Sequence, residues 1–288
     1  MVRMDGRARA PAAATVLNAL ATGTGSAFAI DVYTTAEVTL TDSNEITGEI
    51  AGEPGTDTTL IERCVELTVA EYGSAEWSGG HVRTESEIPI ASGLKSSSAA
   101  ANATVLATLD ALGLTDEVDR IDATRLGVRA AREVGVTVTG AFDDASASML
   151  GGVTITDNTN DRLRSQEPFD FDVLVWTPPE QSFSADADVS RCRRVAQTAA
   201  VVAELAKAGR YGEAMTINGF AFSAALSMAT EPMIEALSDV AGVSVSGTGP
   251  SVVAIGEAAD LETVRTRWES REGTTWITTT QNEGARTT

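Results

Sequence analysis

The run from Pro89 to Ala99 constrains the fold of this chain more than any other segment. It reads Pro-Ile-Ala-Ser-Gly-Leu-Lys-Ser-Ser-Ser-Ala. It follows an alternating segment, residues 82–88, that predicts a strand, and it leads into a segment from Ser96 to about Leu112 that predicts a helix. A glycine turn before serines at a helix start directs free N–H groups and the positive end of the helix dipole at an anion. The run therefore predicts a loop that binds a polyphosphate.

The backbone amides from Ser92 to Ala99 and the serine hydroxyls of this run are candidate contacts for nucleotide phosphates. The run is not a Walker loop, because Leu94 separates Gly93 from Lys95 and no glycine stands five positions before Gly93. A serine-capped helix without a ligand is the alternative interpretation. The candidate nucleotide-binding residues of the run are Pro89, Ile90, Ala91, Ser92, Gly93, Leu94, Lys95, Ser96, Ser97, Ser98 and Ala99.

The chain carries a large excess of acidic residues. Asp and Glu number 41 against 21 Lys and Arg, which gives a net charge of −20. Such a surface repels nucleic acid and anionic membranes, so we expect neither as a partner. The lysines are Lys95 and Lys207 alone. Abundant carboxylates with scarce lysine resemble the cytoplasmic proteins of salt-loving archaea, and an ordinary acidic protein is the alternative.

The cysteines, the histidine and the apolar runs argue against several classes of protein. Cys64 and Cys192 lie far apart, and His81 is the single histidine, so the usual zinc sites and Cys–His catalytic pairs are not expected. No apolar stretch approaches the roughly 18 to 20 residues that cross a bilayer, and the N-terminus lacks the apolar core of a signal peptide. We therefore expect a cytoplasmic protein.

Strands and helices alternate along the chain in an order typical of an α+β layer architecture. With 288 residues, 43% of them hydrophobic, the chain can bury the cores of two packed lobes, which we place at residues 1–150 and 151–288. Alternating apolar residues on both sides of residues 42–44 predict a hairpin there. Helical periodicity predicts helices over residues 57–72, 124–133, 189–208, 212–228 and 232–240.

Three segments, in this order, resemble the three motifs of the GHMP kinase superfamily. Arg9 to Asp31 contains Arg-Ala-Pro-Ala-Ala-Ala and Gly-Ser-Ala-Phe-Ala-Ile-Asp and resembles the first motif. Pro89 to Ala99 resembles the second, and Ser246 to Ala254 resembles the third, in which Gly247 and Gly249 would approach the nucleotide phosphates. The resemblance implies a two-lobed α+β fold, with a ribosomal-protein-S5-like N-terminal lobe and a ferredoxin-like C-terminal lobe.

Within that superfamily, the wording of the motifs resembles the archaeal shikimate kinases. Residues 12–31, together with Gly-Leu-Lys-Ser-Ser-Ser-Ala and Gly-Ala-Phe-Asp-Asp-Ala-Ser-Ala-Ser, carry this resemblance. It implies transfer of the γ-phosphoryl group of ATP to the 3-hydroxyl of shikimate, with Mg²⁺, in the biosynthesis of aromatic amino acids. The alternatives are homoserine kinase or another GHMP small-molecule kinase, and a nucleotide-binding module without catalysis.

The resemblance also implies roles for individual residues. Asp143 matches the aspartate proposed to take the proton of the acceptor hydroxyl in mevalonate-type kinases. Ser97 matches the hydroxyl ligand of Mg²⁺, with Ser98 as the substitute, and Glu133 stands where the acidic metal ligand is expected. For Glu133 a surface ion pair with a neighbouring arginine is the alternative, and for Asp143 a capping turn before a short helix.

Two questions about cations stay open at this point. Mevalonate-type enzymes place a lysine near the start of the first motif, where this chain has Arg7 and Arg9. Lys95 either adds a positive charge at the phosphates or points to solvent. The carboxylate of shikimate calls for an arginine, and Thr22 to Ser26 is the candidate loop on the substrate side. The candidate arginines are Arg7 with Arg9, or else Arg191, Arg193 and Arg194.

Overall fold

The computed structural model describes residues 4–74, 76–88, 92–137, 140–179 and 188–288. Of the predicted phosphate loop, Pro89, Ile90 and Ala91 lie outside these residues. The strands are β1 (Met4–Leu17), β2 (Thr24–Thr41), β3 (Ile46–Ile50), β4 (Gly79–Ser86), β5 (Val153–Asp157), β6 (Arg162–Glu167), β7 (Asp172–Thr177), β8 (Gly242–Val245), β9 (Val252–Gly256), β10 (Thr274–Thr279) and β11 (Arg286–Thr287). The helices are α1 (Thr59–Tyr72), α2 (Ser96–Ala111), α3 (Arg120–Glu133), α4 (Phe142–Leu150), α5 (Val189–Cys192), α6 (Ala196–Lys207), α7 (Tyr211–Leu226), α8 (Glu231–Ala236) and α9 (Ala258–Trp268).

A long hairpin of β1 and β2 forms the centre of the first sheet, whose order is β11-β1-β2-β4-β3, with β5 paired to β2 and β6 paired to β5. The inward side chains of β1, Ala8 and Ala10, are fully buried. A methyl group on Gly6 would collide with the carbonyl oxygen of Ala107 in α2. Small residues on both elements therefore let α2 lie close against the sheet, which fixes the position of its N-terminus.

The hairpin predicted around residues 42–44 was wrong. β3 lies at the edge of the sheet and pairs in parallel with β4, from Ile46 with Gly80 to Ile50 with Thr84. The edge of β2 that a hairpin would need is occupied by β4 itself. Parallel neighbours require a crossover, and α1 supplies it. Alternation of apolar residues predicted the strand correctly but cannot specify its partner.

The helices predicted from periodicity are found close to their expected bounds. The helix predicted over residues 189–208 is divided into α5 and α6 by a 3-10 turn at Arg193–Val195. Helix α8 ends at Ala236 rather than Val240, and α3 begins at Arg120 rather than Thr124. Asp119 accounts for the earlier start, because its carboxylate accepts a hydrogen bond of 2.8 Å from the backbone N–H of Ile121. Over the described ranges, no helix is long and apolar enough to cross a membrane.

The second sheet has the order β10-β7-β9-β8 and is antiparallel. Helix α9 buries Leu261, Val264 and Trp268 in the same apolar cluster as Leu174 of β7 and Ala254 of β9. The opposite face of β7 and β9 joins the main core, which also contains residues of β1 and β2. Strands β5, β6 and β11 follow residue 150 in the chain and pair within the first sheet. The division at residues 150 and 151 stays a prediction.

Candidate active site

The segments that carry the second and third motifs lie against each other. The Ser246 hydroxyl donates a hydrogen bond of 2.8 Å to the carbonyl oxygen of Gly93. The N–H of Ser251 donates to the carbonyl oxygen of Ser92 at 3.0 Å. Gly93 has φ of +84°, and a Cβ there would lie 2.8 Å from the carbonyl oxygen of Gly249. Close approach of the two loops therefore requires glycine at this position.

The first motif reaches the same place through the end of β1. Thr15 accepts a hydrogen bond of 2.8 Å from the N–H of Gly247 on its hydroxyl oxygen. The Asn18 side-chain amide donates to the carbonyl oxygen of Gly247 at 2.8 Å. Asn18 is held in turn by Asn218 of α7, whose amide oxygen accepts from the Asn18 N–H at 2.9 Å. The three motifs thus form one site, although more than 200 residues separate Thr15 from Gly247.

Helix α2 presents its N-terminus at this site. Lys95 caps the helix in a left-handed conformation, with φ of +65°. The first helical hydrogen bond runs from the N–H of Ala99 to the carbonyl oxygen of Lys95 at 3.0 Å. The N–H groups of Ser96, Ser97 and Ser98 precede it, so they have no acceptor within the helix. The Ser97 side chain is exposed, whereas Ser98 is nearly buried.

A pocket lies where these segments meet the start of α4. It contains Lys95 as the one cationic side chain among the described lining residues, together with two carboxylates. The lining residues are Thr15, Asn18, Ala19, Leu20, Lys95, Thr137, Ala141, Asp143, Asp144, Gly247 and Thr248. Of the predicted site residues, the structure brings Lys95, Asp143 and Gly247 together here, with Gly249 two residues further along the same loop.

Asp143 lies in the first turn of α4 and is 5% exposed. Its carboxylate Oδ1 accepts a hydrogen bond of 2.7 Å from the Asn158 side-chain amide. Its Oδ2 lies directly against Gly25, where an added methyl group would collide with the carboxylate. Gly25 belongs to the predicted substrate-side loop, residues 22–26, so this loop does contact the candidate catalytic carboxylate.

Asp144, the next residue, forms an ion pair with Lys95. The Lys95 Nζ lies 3.0 Å from the Asp144 Oδ1, and the two side chains are 9% and 12% exposed. Lys95 is therefore directed into the pocket and not to solvent. Burial, and then the charge of Asp143, raises the pKa of Asp144 to about 7, while Lys95 acts in the opposite direction. Nζ also lies over Gly247, where a Cβ would be 2.5 Å from it.

Glu133 does not line the pocket. Its Oε2 accepts a hydrogen bond of 2.7 Å from Arg63, and its Oε1 lies 3.4 Å from the Nε of Arg129. The side chain is 40% exposed. These are the surface ion pairs that the sequence left open as the alternative. A role of Glu133 in binding metal stays a prediction, and it requires the carboxylate to leave both arginines.

Neither predicted set of arginines lines the pocket. Arg7 pairs with Glu37 at 3.1 Å on the exposed face of the first sheet, and Arg9 stacks over the Tyr33 ring at 4.3 Å. Arg191 donates to the carbonyl oxygen of Ala224 at 3.3 Å. Arg193 and Arg194 are exposed. Neither set of arginines therefore lies beside the two aspartates of the pocket, and a contact with a substrate carboxylate stays a prediction for both sets.

Sequence reasoning missed the contributions of Thr15, Asn18 and Asn158. Thr15 and Asn18 stand inside the first motif, and the polar residues there, in an otherwise apolar strand end, were the available signal. Asn158 stands in a Thr-Asp-Asn-Thr-Asn turn that looks like an ordinary connection between strands. Nothing in the sequence spacing links it to Asp143.

Comparison with known proteins assigns the family. Residues 59–152 match the model of the GHMP kinases N terminal domain. The shikimate kinase of Halobacterium salinarum is 63% identical over 99% of this chain and 100% of its own. The chain belongs to the archaeal shikimate kinases of the GHMP superfamily. The shikimate kinase of Methanosarcina mazei is 51% identical, over 98% of this chain and 96% of its own.

Solved structures of GHMP kinases share the fold. The homoserine kinase of Cytophaga hutchinsonii superposes with a TM-score of 0.78, at 17% identity, over 99% of this chain and 97% of its own. The mevalonate kinase of Methanococcus jannaschii superposes with a TM-score of 0.73, at 13% identity, over 98% of each chain. The α+β, two-lobed GHMP kinase architecture expected from the motifs is thereby confirmed.

Proposed function

We propose that this GHMP kinase transfers the γ-phosphoryl group of ATP to the 3-hydroxyl of shikimate. The observation that carries the proposal is the 63% identity to a shikimate kinase over 99% of the chain. Identity at this level, without large insertions or deletions, favours conservation of the acceptor as well as of the fold. The product would enter the biosynthesis of aromatic amino acids.

The phosphates of ATP would bind where α2 begins. The free N–H groups of Ser96, Ser97 and Ser98 and the helix dipole favour an anion at this end. The loop of Gly247 packs against the same end and would close over the phosphates. Phosphoryl transfer depends mainly on positioning and on electrostatic stabilisation, and both are available from backbone groups held by three packed segments.

Mg²⁺ fits a site of this kind. In the part of the chain that the structure describes, no group of three His, Cys, Asp or Glu side chains could hold a metal by itself. Mg²⁺ usually takes most of its ligands from substrate phosphates and water, with one or two from the protein. We propose the exposed hydroxyl of Ser97 as a ligand, with Glu133 as the acidic ligand once released from its arginines. The ion would neutralise charge on the phosphate oxygens.

Asp143 would orient the acceptor hydroxyl and accept its proton. Its Oδ1 is engaged by Asn158, which leaves Oδ2, beside Gly25, for the substrate. Transfer of a phosphoryl group is largely dissociative, so the proton moves late and orientation contributes more than basicity. The contact between Asp143 and the loop of Gly25 supports an acceptor site next to that loop.

Lys95 would supply the positive charge between the carboxylates and the phosphates. Two buried carboxylates next to each other repel an incoming polyphosphate, and the ion pair with Asp144 offsets one of the two charges. The position of Nζ over Gly247 brings the same ammonium group to the third motif. A lysine within the second motif can thus serve the site in a chain whose first motif has arginines only.

The test is a coupled assay of ADP formation with shikimate, homoserine and mevalonate supplied separately, in molar KCl with Mg²⁺. We expect turnover with shikimate alone. Turnover of homoserine but not shikimate would assign the chain to a different acceptor. Binding of ATP without turnover of any acceptor would support the non-catalytic module instead.

A further inference from the structure

We propose that Asn158 is the positioning residue that holds the Asp143 carboxylate in its reactive orientation. The inference rests on the proposed function, in which Asp143 meets the acceptor hydroxyl. Asn158 comes from the turn between β5 and β6, and it is 4% exposed. It is absent from the three sequence motifs, so only the tertiary contact points to it.

The Asn158 side chain makes two hydrogen bonds with Asp143. Its side-chain Nδ2 donates a hydrogen bond of 2.7 Å to the carboxylate Oδ1. Its Oδ1 accepts a hydrogen bond of 3.1 Å from the backbone N–H of Asp143. One amide therefore fixes both the main chain and the side chain of the same residue. A carboxylate held in this way cannot rotate about χ1 or χ2 without losing a buried hydrogen bond.

The orientation of the amide is set by its neighbours. The backbone N–H of Asp143 can only donate, so it selects the oxygen of Asn158. The Thr156 hydroxyl lies 2.7 Å from the same oxygen and can donate to it. The amide NH₂ group must then face the carboxylate, where a donor is required. In the flipped orientation, the amide oxygen of Asn158 would face the carboxylate oxygen of Asp143, and two acceptors would repel each other.

The main chain of Asn158 is also anchored. Its N–H donates to the carbonyl oxygen of Gly23 at 2.8 Å, which ties the turn to the substrate-side loop. Arg132 of α3 lies 3.4 Å from its carbonyl oxygen through Nη2. The amide that orients Asp143 is therefore carried by a rigid support, as a positioning residue needs to be.

The turn itself does not need the Asn158 side chain. Asp157 closes it, because its carboxylate accepts hydrogen bonds of 3.1 Å from the Thr159 N–H and from the Asn160 amide. The side chain of Asn158 points the other way, into the site. A purely local structural role for this amide is therefore not supported.

The test compares Asn158→Asp with Asn160→Asp. The first exchange keeps the shape and the acceptor oxygen but removes the donor that faces Asp143. The second makes the same chemical change two residues away in the same turn and has no contact with Asp143. It removes the amide donor to Asp157, whose carboxylate still accepts from the Thr159 N–H and so still closes the turn. With shikimate at pH 8, we expect Asn158→Asp to lower kcat about 10- to 100-fold. KM for ATP and for shikimate should change less than about threefold. The Asn160→Asp control should stay within about twofold of wild type.

A second measurement does not depend on the acceptor. Crystal structures of wild type, Asn158→Asp and Asn158→Ala should show the Asp143 carboxylate in one orientation in the wild type and rotated in the variants. Wild-type kcat in Asn158→Asp, or an unmoved carboxylate in both variants, overturns the inference. If wild type does not turn over shikimate, the proposed function fails while the crystallographic comparison still decides the role of Asn158. Should Asn158→Asp fail to fold, Thr156→Val offers the milder change, with kcat expected about two- to fivefold lower.

Discussion

The ammonium group of Lys95 lies 3.0 Å from a carboxylate oxygen of Asp144, and both side chains are almost withdrawn from solvent. This contact joins the start of α2, where the phosphates are expected, to the start of α4, which carries the candidate catalytic carboxylate. The cation and the anion therefore lie in direct contact in the lining of the pocket that a substrate would enter. Removal of either partner leaves an uncompensated charge near the reacting groups.

We expect Lys95→Met to lower kcat about 100- to 1,000-fold, since it removes the positive charge next to the transferred group. The matched control is Lys207→Met, because Lys207 is the other lysine and forms an exposed pair with Glu204 at 2.8 Å. That control should retain wild-type kinetics. Steady-state kinetics and a melting curve for each variant check the prediction. Equal kcat in the two variants would contradict a role for Lys95.

Asp143→Asn should lower kcat by about 10² to 10⁴ while the nucleotide still binds. The exchange keeps the size of the side chain and removes the proton acceptor. Single-turnover measurements together with titration of a fluorescent ATP analogue separate chemistry from binding. Turnover equal to wild type would show that Asp143 neither orients the acceptor nor takes its proton.

Gly25→Ala should impair catalysis more than it impairs folding. The added methyl group would lie 2.6 Å from the Asp143 Cγ and would displace the carboxylate. Gly256→Ala is the control, because its nearest neighbour would be 3.6 Å away, an ordinary contact. We expect kcat to fall at least about tenfold for Gly25→Ala and to stay unchanged for the control. A loss confined to thermal stability would argue against the contact with Asp143 as a catalytic requirement.

The raised pKa of Asp144 predicts that the stability of the fold depends on pH. Its pKa is raised to about 7 in the fold, against about 4 in an unfolded chain. A raised pKa favours the protonated form, so this stabilising contribution is complete below pH 4 and is lost as the pH rises to about 7. The amide introduced by Asp144→Asn does not titrate. The free energy of unfolding of this variant should therefore rise relative to wild type between pH 4 and 7, then level off.

Urea unfolding at constant KCl, repeated at intervals of half a pH unit, measures this difference. Curves that run parallel for wild type and Asp144→Asn would show that Asp144 does not titrate in this range.

Salt should stabilise the fold. The net charge of −20 is spread over the whole chain, and self-repulsion weakens as added ions screen it. We expect the melting temperature to rise by several degrees or more as KCl increases from millimolar to molar concentration. A melting temperature that does not change with KCl would contradict this expectation.

The sequence by itself determined three things: the helix α2 that follows the predicted phosphate loop, the candidate catalytic residue, and the family. Glycine, serine and helical periodicity are local signals, so α2 was predicted at Ser96, where it begins. The motif around Asp143 identified a residue that the structure places in the pocket. Such signals can be recognised in the sequence because each depends on residues that are close together in the chain.

Only the tertiary structure decided the partner of β3, the direction of Lys95 and the contact of Asn158 with Asp143. Each of these depends on which segment lies opposite, across gaps in sequence of 34, 49 and 15 residues. A strand pairs with a strand edge that the rest of the sheet leaves free, as β3 does with β4. A long cationic side chain orients toward a carboxylate that the fold brings near it, as Lys95 does toward Asp144. Among the described residues, the pocket therefore receives its cationic side chain from Lys95 of the predicted phosphate loop and not from the arginines of the first motif, because packing of α4 against α2 places Asp144 beside Lys95.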